Sequence, residues 1–263
     1  MDLGLSGKVA LVTGSHRGTG QVIAERLASE GATGIAHGLD EGSADHVAEG
    51  SKVEYAVWGD IRNEAGSEIA AKQALAVSGR VDILINNYGM AENGSWTSAS
   101  THDWLSMYQV NVLSAVRMVG LLKDAMIDAG GGRIIQLGTI GSTQPNAQRP
   151  HYYAAKGALA NVTVSLAKEL AGTGITVNTV SPGFIRTPEV EAGFRAKAKR
   201  KGWGESWYEI EAHIVAERFP NPVGRIATRE EVADLVCFLS SVRAGFINGQ
   251  NIRVDGGAID IVH

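Results

Sequence analysis

Val9-Ala10-Leu11-Val12-Thr13-Gly14-Ser15-His16-Arg17-Gly18-Thr19-Gly20-Gln21-Val22-Ile23-Ala24 is the stretch that decides the fold. An apolar run leads into a glycine-rich turn, and the turn opens a helical pattern. A strand–turn–helix unit at the start of the chain is the context a dinucleotide site requires. The turn needs glycine for its backbone angles, and a diphosphate needs close approach to amides at a helix N-terminus. Gly14, Ser15, His16, Arg17, Gly18, Thr19 and Gly20 are therefore the first candidate cofactor-binding residues.

Outward from that unit the same rhythm repeats. Strand-like runs follow at Thr33–His37, Val53–Val57, Val81–Asn86, Arg133–Leu137, Thr176–Ser181 and Asn251–Val254. Helical patterns fall near 18–30, 62–78, 103–129, 151–171 and 228–241, with a weaker connection at about 40–50. This alternation predicts βαβ units: one Rossmann-type α/β domain over 1–263, a doubly wound parallel sheet of about seven strands with helices on both faces. Val81-Asp82-Ile83-Leu84-Ile85 fits a strand buried on both sides.

One segment, about 188–222, breaks the rhythm with Pro188, the basic run Arg195 to Lys201, the aromatics Trp203, Trp207 and Tyr208, and Pro220 and Pro222. It follows the end of an apolar strand, where open α/β sheets bind ligands, so it is predicted to form a substrate lid. The bland reading is a surface helical hairpin that seals its own small core.

Composition narrows the classes. The chain has 263 residues, Lys+Arg 24 against Asp+Glu 28, and a net charge of -4, which gives no prior for nucleic acid. Its 33 glycines, one residue in eight, suggest many tight turns or backbone held close to a ligand. A single cysteine, Cys237, excludes a disulfide framework and a multi-cysteine metal site, and it is read as a core residue. No metal is expected. Neither a secretory leader nor a run of 18 apolar residues is visible, so a cytoplasmic protein with no membrane partner is expected.

The spacing Thr13-Gly14-x-x-x-Gly18-x-Gly20 resembles the classical short-chain dehydrogenase/reductase family, and six further stretches extend the resemblance along nearly the whole chain. They are Asn86-Asn87-Tyr88-Gly89; Gln109-Val110-Asn111-Val112; Tyr152-Tyr153-Ala154-Ala155-Lys156; Ser181-Pro182-Gly183-Phe184-Ile185-Arg186-Thr187; and the C-terminal blocks Asn221-Pro222-Val223-Gly224-Arg225 and Val254-Asp255-Gly256-Gly257. The resemblance implies reversible hydride transfer between a nicotinamide and a carbonyl or alcohol carbon.

That chemistry needs a general acid near the carbonyl oxygen, and a nearby cation favours phenolate. Tyr152 and Lys156 share one helix face at a spacing of four; Tyr153, three from Lys156, is not excluded by helix geometry. The resemblance selects Tyr152. It also implies that Asn111 holds a water linking Lys156 to solvent. The family's usual serine, thirteen residues before the tyrosine, is here Thr139, which keeps a hydroxyl donor on a stiffer side chain. Ser142 is the fallback. Tyr88 stands where the family carries a small alanine, and sequence offers no account of it.

An acid at the end of the second strand receives the ribose 2′-hydroxyl of NAD, whereas cations accept the 2′-phosphate of NADP. That position is Gly38, and Arg17 occupies the loop position where NADP-dependent relatives carry a base. NADP(H) is therefore favoured over NAD(H), with His37 as a further contributor and Asp40 placed to cap the next helix. By resemblance, Asp60 and Ile61 border the adenine, and Asn87, Gly89, Pro182, Gly183, Ile185 and Thr187 complete the cofactor site with Tyr152 and Lys156.

Substrate walls are expected from 90–96, 140–149 and 188–222: Trp96, Thr139, Gly141, Phe184, Phe194, Trp203 and Trp207. Their aromatic density suggests an apolar or ring-bearing ketone or secondary alcohol. The alternatives are a 3-oxoacyl-thioester reductase and, from another class, a cofactor-sensing binding module with weak catalysis. The apolar helices 103–129 and 151–171 imply, by resemblance, a homotetramer, with a dimer as the alternative.

Overall fold

The structure, a computed structural model, describes residues 2–261. Seven strands, β1 (Val9–Val12), β2 (Thr33–Gly38), β3 (Tyr55–Trp58), β4 (Ile83–Asn86), β5 (Gly132–Leu137), β6 (Ile175–Pro182) and β7 (Asn251–Val254), form one sheet. Its order is β3-β2-β1-β4-β5-β6-β7, and every neighbouring pair is parallel. The helices are α1 (Gly18–Ser29), α2 (Asp45–Gly50), α3 (Glu64–Ser78), α4 (Thr101–Tyr108), α5 (Ser114–Asp128), α6 (Pro150–Glu169), α7 (Pro188–Lys201), α8 (Trp207–Glu217) and α9 (Arg229–Ser240).

Successive strand residues serve opposite faces. Ala10, Val12, Ile83 and Ile85 join Ile23 and Leu27 of α1 and Val232 and Val236 of α9 in one core. Leu11, Leu84, Ile134 and Val177 join Ala70 of α3 and Met118 and Leu122 of α5 in the other. Apolar residues on both faces explain why these strands show no polar alternation. β1 lies between β2 and β4, so the chain leaves it in opposite directions, and the crevice for a ligand opens beyond the carboxyl ends of β1 and β4.

The predicted helix 103–129 divides. A π-helical turn, Gln109–Leu113, joins α4 to α5 and carries buried Asn111. Such a turn holds one extra residue, which rotates the side chains within it relative to the flanking helices.

The segment after β6 forms α7 and α8 and is tied at its ends. The Ala227 N–H donates to the Phe184 carbonyl at 3.0 Å, and the Arg186 N–H to the Ala227 carbonyl at 2.8 Å. Ala198, Trp203, Ile210, Ile214 and Phe219 make a small core here, with Phe184, Phe194 and Ile140 packed against it. α7 starts with Thr187 as cap, Pro188 and two glutamates, and its last turn holds Lys199, Arg200 and Lys201. The basic run is thus largely a solvated helix end that complements the dipole. Among the described residues no helix is long and apolar enough to cross a membrane, and no cluster of potential metal ligands occurs.

Candidate active site

The glycine turn between β1 and α1 is built for close approach. Gly14 and Gly18 have φ of 62° and 65°. A Cβ on Gly14 would lie 3.0 Å from the Tyr88 Cα, and one on Gly20 2.3 Å from Asn87 Nδ2. Asn87 Nδ2 in turn donates to the Thr13 and Gly14 carbonyls at 2.9 and 3.1 Å, clamping the turn against the end of β4. A Cβ on Gly18 would meet nothing, so the outer side of the turn is open. Arg17 caps α1 without a side-chain hydrogen bond, and its first turn holds no acid, which leaves helix amides free for an anion. His16 Nδ1 is buried without a partner. Open glycine, free amides and an orphaned ring nitrogen fit the diphosphate of a dinucleotide.

His37, expected to help with the 2′-phosphate, is placed otherwise. Its ring is fully buried beneath the turn. Nδ1 accepts the Gly14 N–H at 3.0 Å, Nε2 donates to the Gly59 carbonyl at 3.0 Å, and its own N–H donates to Ser15 Oγ at 2.9 Å. Both nitrogens are used, so His37 supports the turn from below and presents nothing to a phosphate. Burial pushes its pKa down to about 4.

At the end of β2, a Cβ on Gly38 would come 1.9 Å from Ser43 Oγ, so the 40–44 connection fills the place of the missing acid. Asp60 is gripped by Arg62 at 2.8 and 2.9 Å, and this hydrogen-bonded pairing holds its carboxyl below the usual range. Ile61 is buried beside it. Tyr88, unexplained by sequence, packs against the same core cluster as Leu39, and burial raises its phenol. The Tyr88 hydroxyl donates to Met90 Sδ at 3.8 Å, and its backbone N–H donates to Thr13 Oγ1 at 3.1 Å.

Four side chains converge at the ends of β4, β5 and α6. The Thr139 hydroxyl lies near enough to the Tyr152 phenol to favour its ionised form, and its oxygen accepts the Gly141 N–H at 3.3 Å. Lys156, one turn along α6, is buried, and its Nζ donates to the Leu137 carbonyl at 2.6 Å. A Cβ on Gly89 would fall 2.7 Å from Asn111 Oδ1 and 3.1 Å from Lys156 Nζ, so glycine there lets the two side chains meet the backbone. Asn111 binds the Met90 backbone on both sides, Nδ2 to O at 2.9 Å and N–H to Oδ1 at 3.2 Å. Burial pushes the Tyr152 phenol up to about 12 and the Lys156 ammonium down to about 8. Near neutral pH the pair is a neutral phenol beside a cation, the proton-donating form. Gly138, before Thr139, is glycine because a Cβ would lie 2.6 Å from Ser181 Oγ.

In the stretch expected to border the nicotinamide, Pro182 ends β6, and Gly183 leaves room for Phe219, whose Cζ would stand 2.4 Å from a Cβ there. Ile185 packs on the main core, and Thr187 accepts the Val190 N–H as cap of α7. The expected substrate walls separate into groups. Phe184 meets Phe194 edge-on and Phe219 at a tilt in the small core that touches Ile140, next to Thr139. Trp203 is only 5 % exposed, its ring stacked on His213 at 5.1 Å with the Lys197 ammonium 4.4 Å from its centroid. It builds the hairpin and offers no wall, which corrects its expected role. Trp207 carries Arg186 at 4.5 Å, and Trp96 is 74 % exposed against Trp104.

Gly141 does border the site, but through what it admits: a Cβ would lie 2.0 Å from the Tyr153 ring, which sits 5.5 Å from that of Tyr152. Tyr153 bonds Asn146, and Arg149 bonds Asn93. Asn93, Asn146 and Arg149 lie within the expected 90–96 and 140–149 walls but were not singled out there; the signal was the Arg149-Pro150 pair, since a residue before proline is steered out of the helical region.

Comparison with known proteins agrees with this geometry. A family model described as enoyl-(acyl carrier protein) reductase matches residues 14–258. The chain is 34% identical over 262 residues to the uncharacterized oxidoreductase YvaG of Bacillus subtilis (strain 168), covering 98% of each. It is 34% identical over 259 residues to the 3-oxoacyl-[acyl-carrier-protein] reductase FabG of Escherichia coli (strain K12), covering 97% of this chain and 98% of that one. Among solved structures, L-sorbose reductase from Gluconobacter frateurii, complexed with NADPH and L-sorbose, superposes with a TM-score of 0.91 at 32% identity over 100% of both chains. A 3-oxoacyl (acyl-carrier-protein) reductase from Agrobacterium tumefaciens C58 with NADP bound gives 0.86 at 31% identity, over 97% and 96%. With a matching seven-stranded parallel sheet, glycine turn and Tyr-x-x-x-Lys helix, this chain belongs to the short-chain dehydrogenase/reductase family of oxidoreductases.

Proposed function

We propose that the chain is an NADP(H)-dependent reductase of ketones, running reversibly with secondary alcohols, in which Tyr152 is the general acid and base. The observation that carries this is buried Lys156, one turn along α6 from Tyr152, with its Nζ held by the carbonyl of Leu137 two residues before Thr139. When bound, the nicotinamide supplies or accepts the hydride. As the carbonyl oxygen gains charge, Tyr152 donates its proton and Thr139 a hydrogen bond to that oxygen. Lys156 keeps positive charge close by, and Asn111 holds the backbone at Met90 and a water for proton relay. The 188–222 hairpin closes over the substrate, a role supported by its contact with Ile140. A spectrophotometric screen of ketones and alcohols with both nucleotides tests the reading; bound nucleotide with no turnover across a broad panel would favour a cofactor-sensing module.

The FabG likeness favours a second reading, reduction of 3-oxoacyl thioesters, which turnover of acetoacetyl thioesters would single out. For the cofactor, support comes from Gly38, from Arg17 exposed on the turn, and from the nucleotides bound in similar structures. Arg17→Ala is expected to weaken NADPH binding about 10-fold or more, as for loss of a charge-assisted hydrogen bond, and to leave NADH within about 2-fold. Fluorescence titration of each nucleotide reads this directly, and equal losses for both would sink the assignment.

Exposed Leu105, Val116 and Val164, on α4, α5 and α6, support the homotetramer. Light scattering that returned the mass of one chain would overturn it.

A further inference from the structure

At the rim of the cleft, three residues before Tyr152, stands a cation without a carboxylate. Arg149 is the one non-glycine residue among those described with positive φ, at 56°. That conformation is costly for arginine and persists only where the surroundings impose it. Here they do: the Arg149 N–H donates to the Gly94 carbonyl at 2.9 Å, while Nε and Nη2 donate to Asn93 Oδ1 at 3.2 and 3.0 Å. The 93–94 loop and the first residue of the α6 entry are thereby locked together, with the guanidinium between them.

Asn93 is neutral and takes one edge of the fork. Among the described residues Arg149 forms no ion pair, although Glu92 is next to Asn93 in sequence. The guanidinium lies close enough to Tyr152 to favour the phenolate. On the same rim Asn146 Nδ2 donates to the Tyr153 hydroxyl at 3.1 Å, so this wall is polar.

A fixed guanidinium with an unspent edge matches the two oxygens of an anionic group. We propose that Arg149 receives a carboxylate or phosphate of the substrate, so that the preferred ketone carries such a group a few bonds from its carbonyl. This rests on the reductase reading above. It also sets the chain apart from a reductase of uncharged sugars.

The test pairs each anionic ketone with an uncharged twin: oxo acids with their methyl esters, and phosphorylated ketoses with the free sugars. In the wild type the anionic member is expected to have the higher kcat/KM by about 10-fold or more. Arg149→Asn, which tolerates positive φ, should raise KM for the anion about 10-fold and leave KM for the twin within about 2-fold, so that the anion-to-twin ratio of kcat/KM falls about 10-fold. Arg149→Lys should restore part of the preference. The oxo-acid and phosphate series show which anion is used. Uncharged twins turned over as well as the anions, or equal losses for both in Arg149→Asn, would overturn the proposal while leaving the reductase reading intact. If no ketone in either series turns over, that reading fails; calorimetric titration of the hydroxy acids into NADP-loaded wild type and Arg149→Asn then decides the anion site separately.

Discussion

Tyr152→Phe is expected to lower kcat by about 10²- to 10⁴-fold while NADPH still binds, because the variant removes one hydroxyl and almost no volume. The phenol is the proposed proton source, and burial keeps it protonated with a pKa of about 12. Thr139→Ala should cost about 10²- to 10³-fold, as for loss of one preorganised donor, and Thr139→Ser should restore most of it. Unchanged turnover in Tyr152→Phe would transfer the role to Tyr153, whose ring is 5.5 Å away. The same site has a pH signature. Burial lowers Lys156 to about 8, so its charge is present below that pH and lost above it. The rate of ketone reduction should therefore fall as pH rises through about 8. Lys156→Arg keeps its charge throughout, so in any active preparation that limb should disappear from the kcat/KM profile. A wild-type profile flat from pH 7 to 9 would show that the charge is not needed.

How far the sequence revealed this follows from what each residue depends on. β1 and most of β4 were legible because a strand buried on both faces is apolar along its length, and that is a local property; β6 is equally buried but carries Thr176, Asn178, Thr179 and Ser181. The glycine turn was legible for a related reason, since positive φ and close backbone leave few residue choices. Asn111 could be assigned, but not its π-helical turn, because apolar spacing runs evenly through 103–129 and does not register one extra residue. Aromatic count could not say which way a ring points. Trp203 and Trp207 looked alike in sequence, yet one is sealed against His213 and the other lies under Arg186. Gly38 and Gly138 were noticed for what they replace, whereas the cause is Ser43, in the connection just after β2, packed against one and Ser181, on the neighbouring strand β6, packed against the other.

His37 is the sharpest case of a residue whose work is set by its neighbours, and it carries the largest expected stability effect. A histidine buried neutral has a folded pKa near 4 against 6.5 when unfolded. Below pH 6.5 the unfolded chain binds a proton that the native ring refuses. The contribution is thus complete above about 6.5 and is lost as pH falls towards 4, by up to about 3 kcal/mol. For a chain of this size that corresponds to about 6–12 °C in Tm. His37→Gln can keep a donor and an acceptor without titrating, so its Tm should fall less over the same range. His37→Ala leaves the Gly14 amide and the Gly59 carbonyl without partners, and buries a void. It should lower Tm at pH 7.5 and weaken NADPH binding about 10-fold or more, because the turn that would hold the diphosphate loses its prop. Parallel Tm curves for wild type and His37→Gln between pH 7 and 4.5 would show that the acid sensitivity originates elsewhere. Undiminished NADPH affinity in His37→Ala would show that the turn keeps its shape without the imidazole.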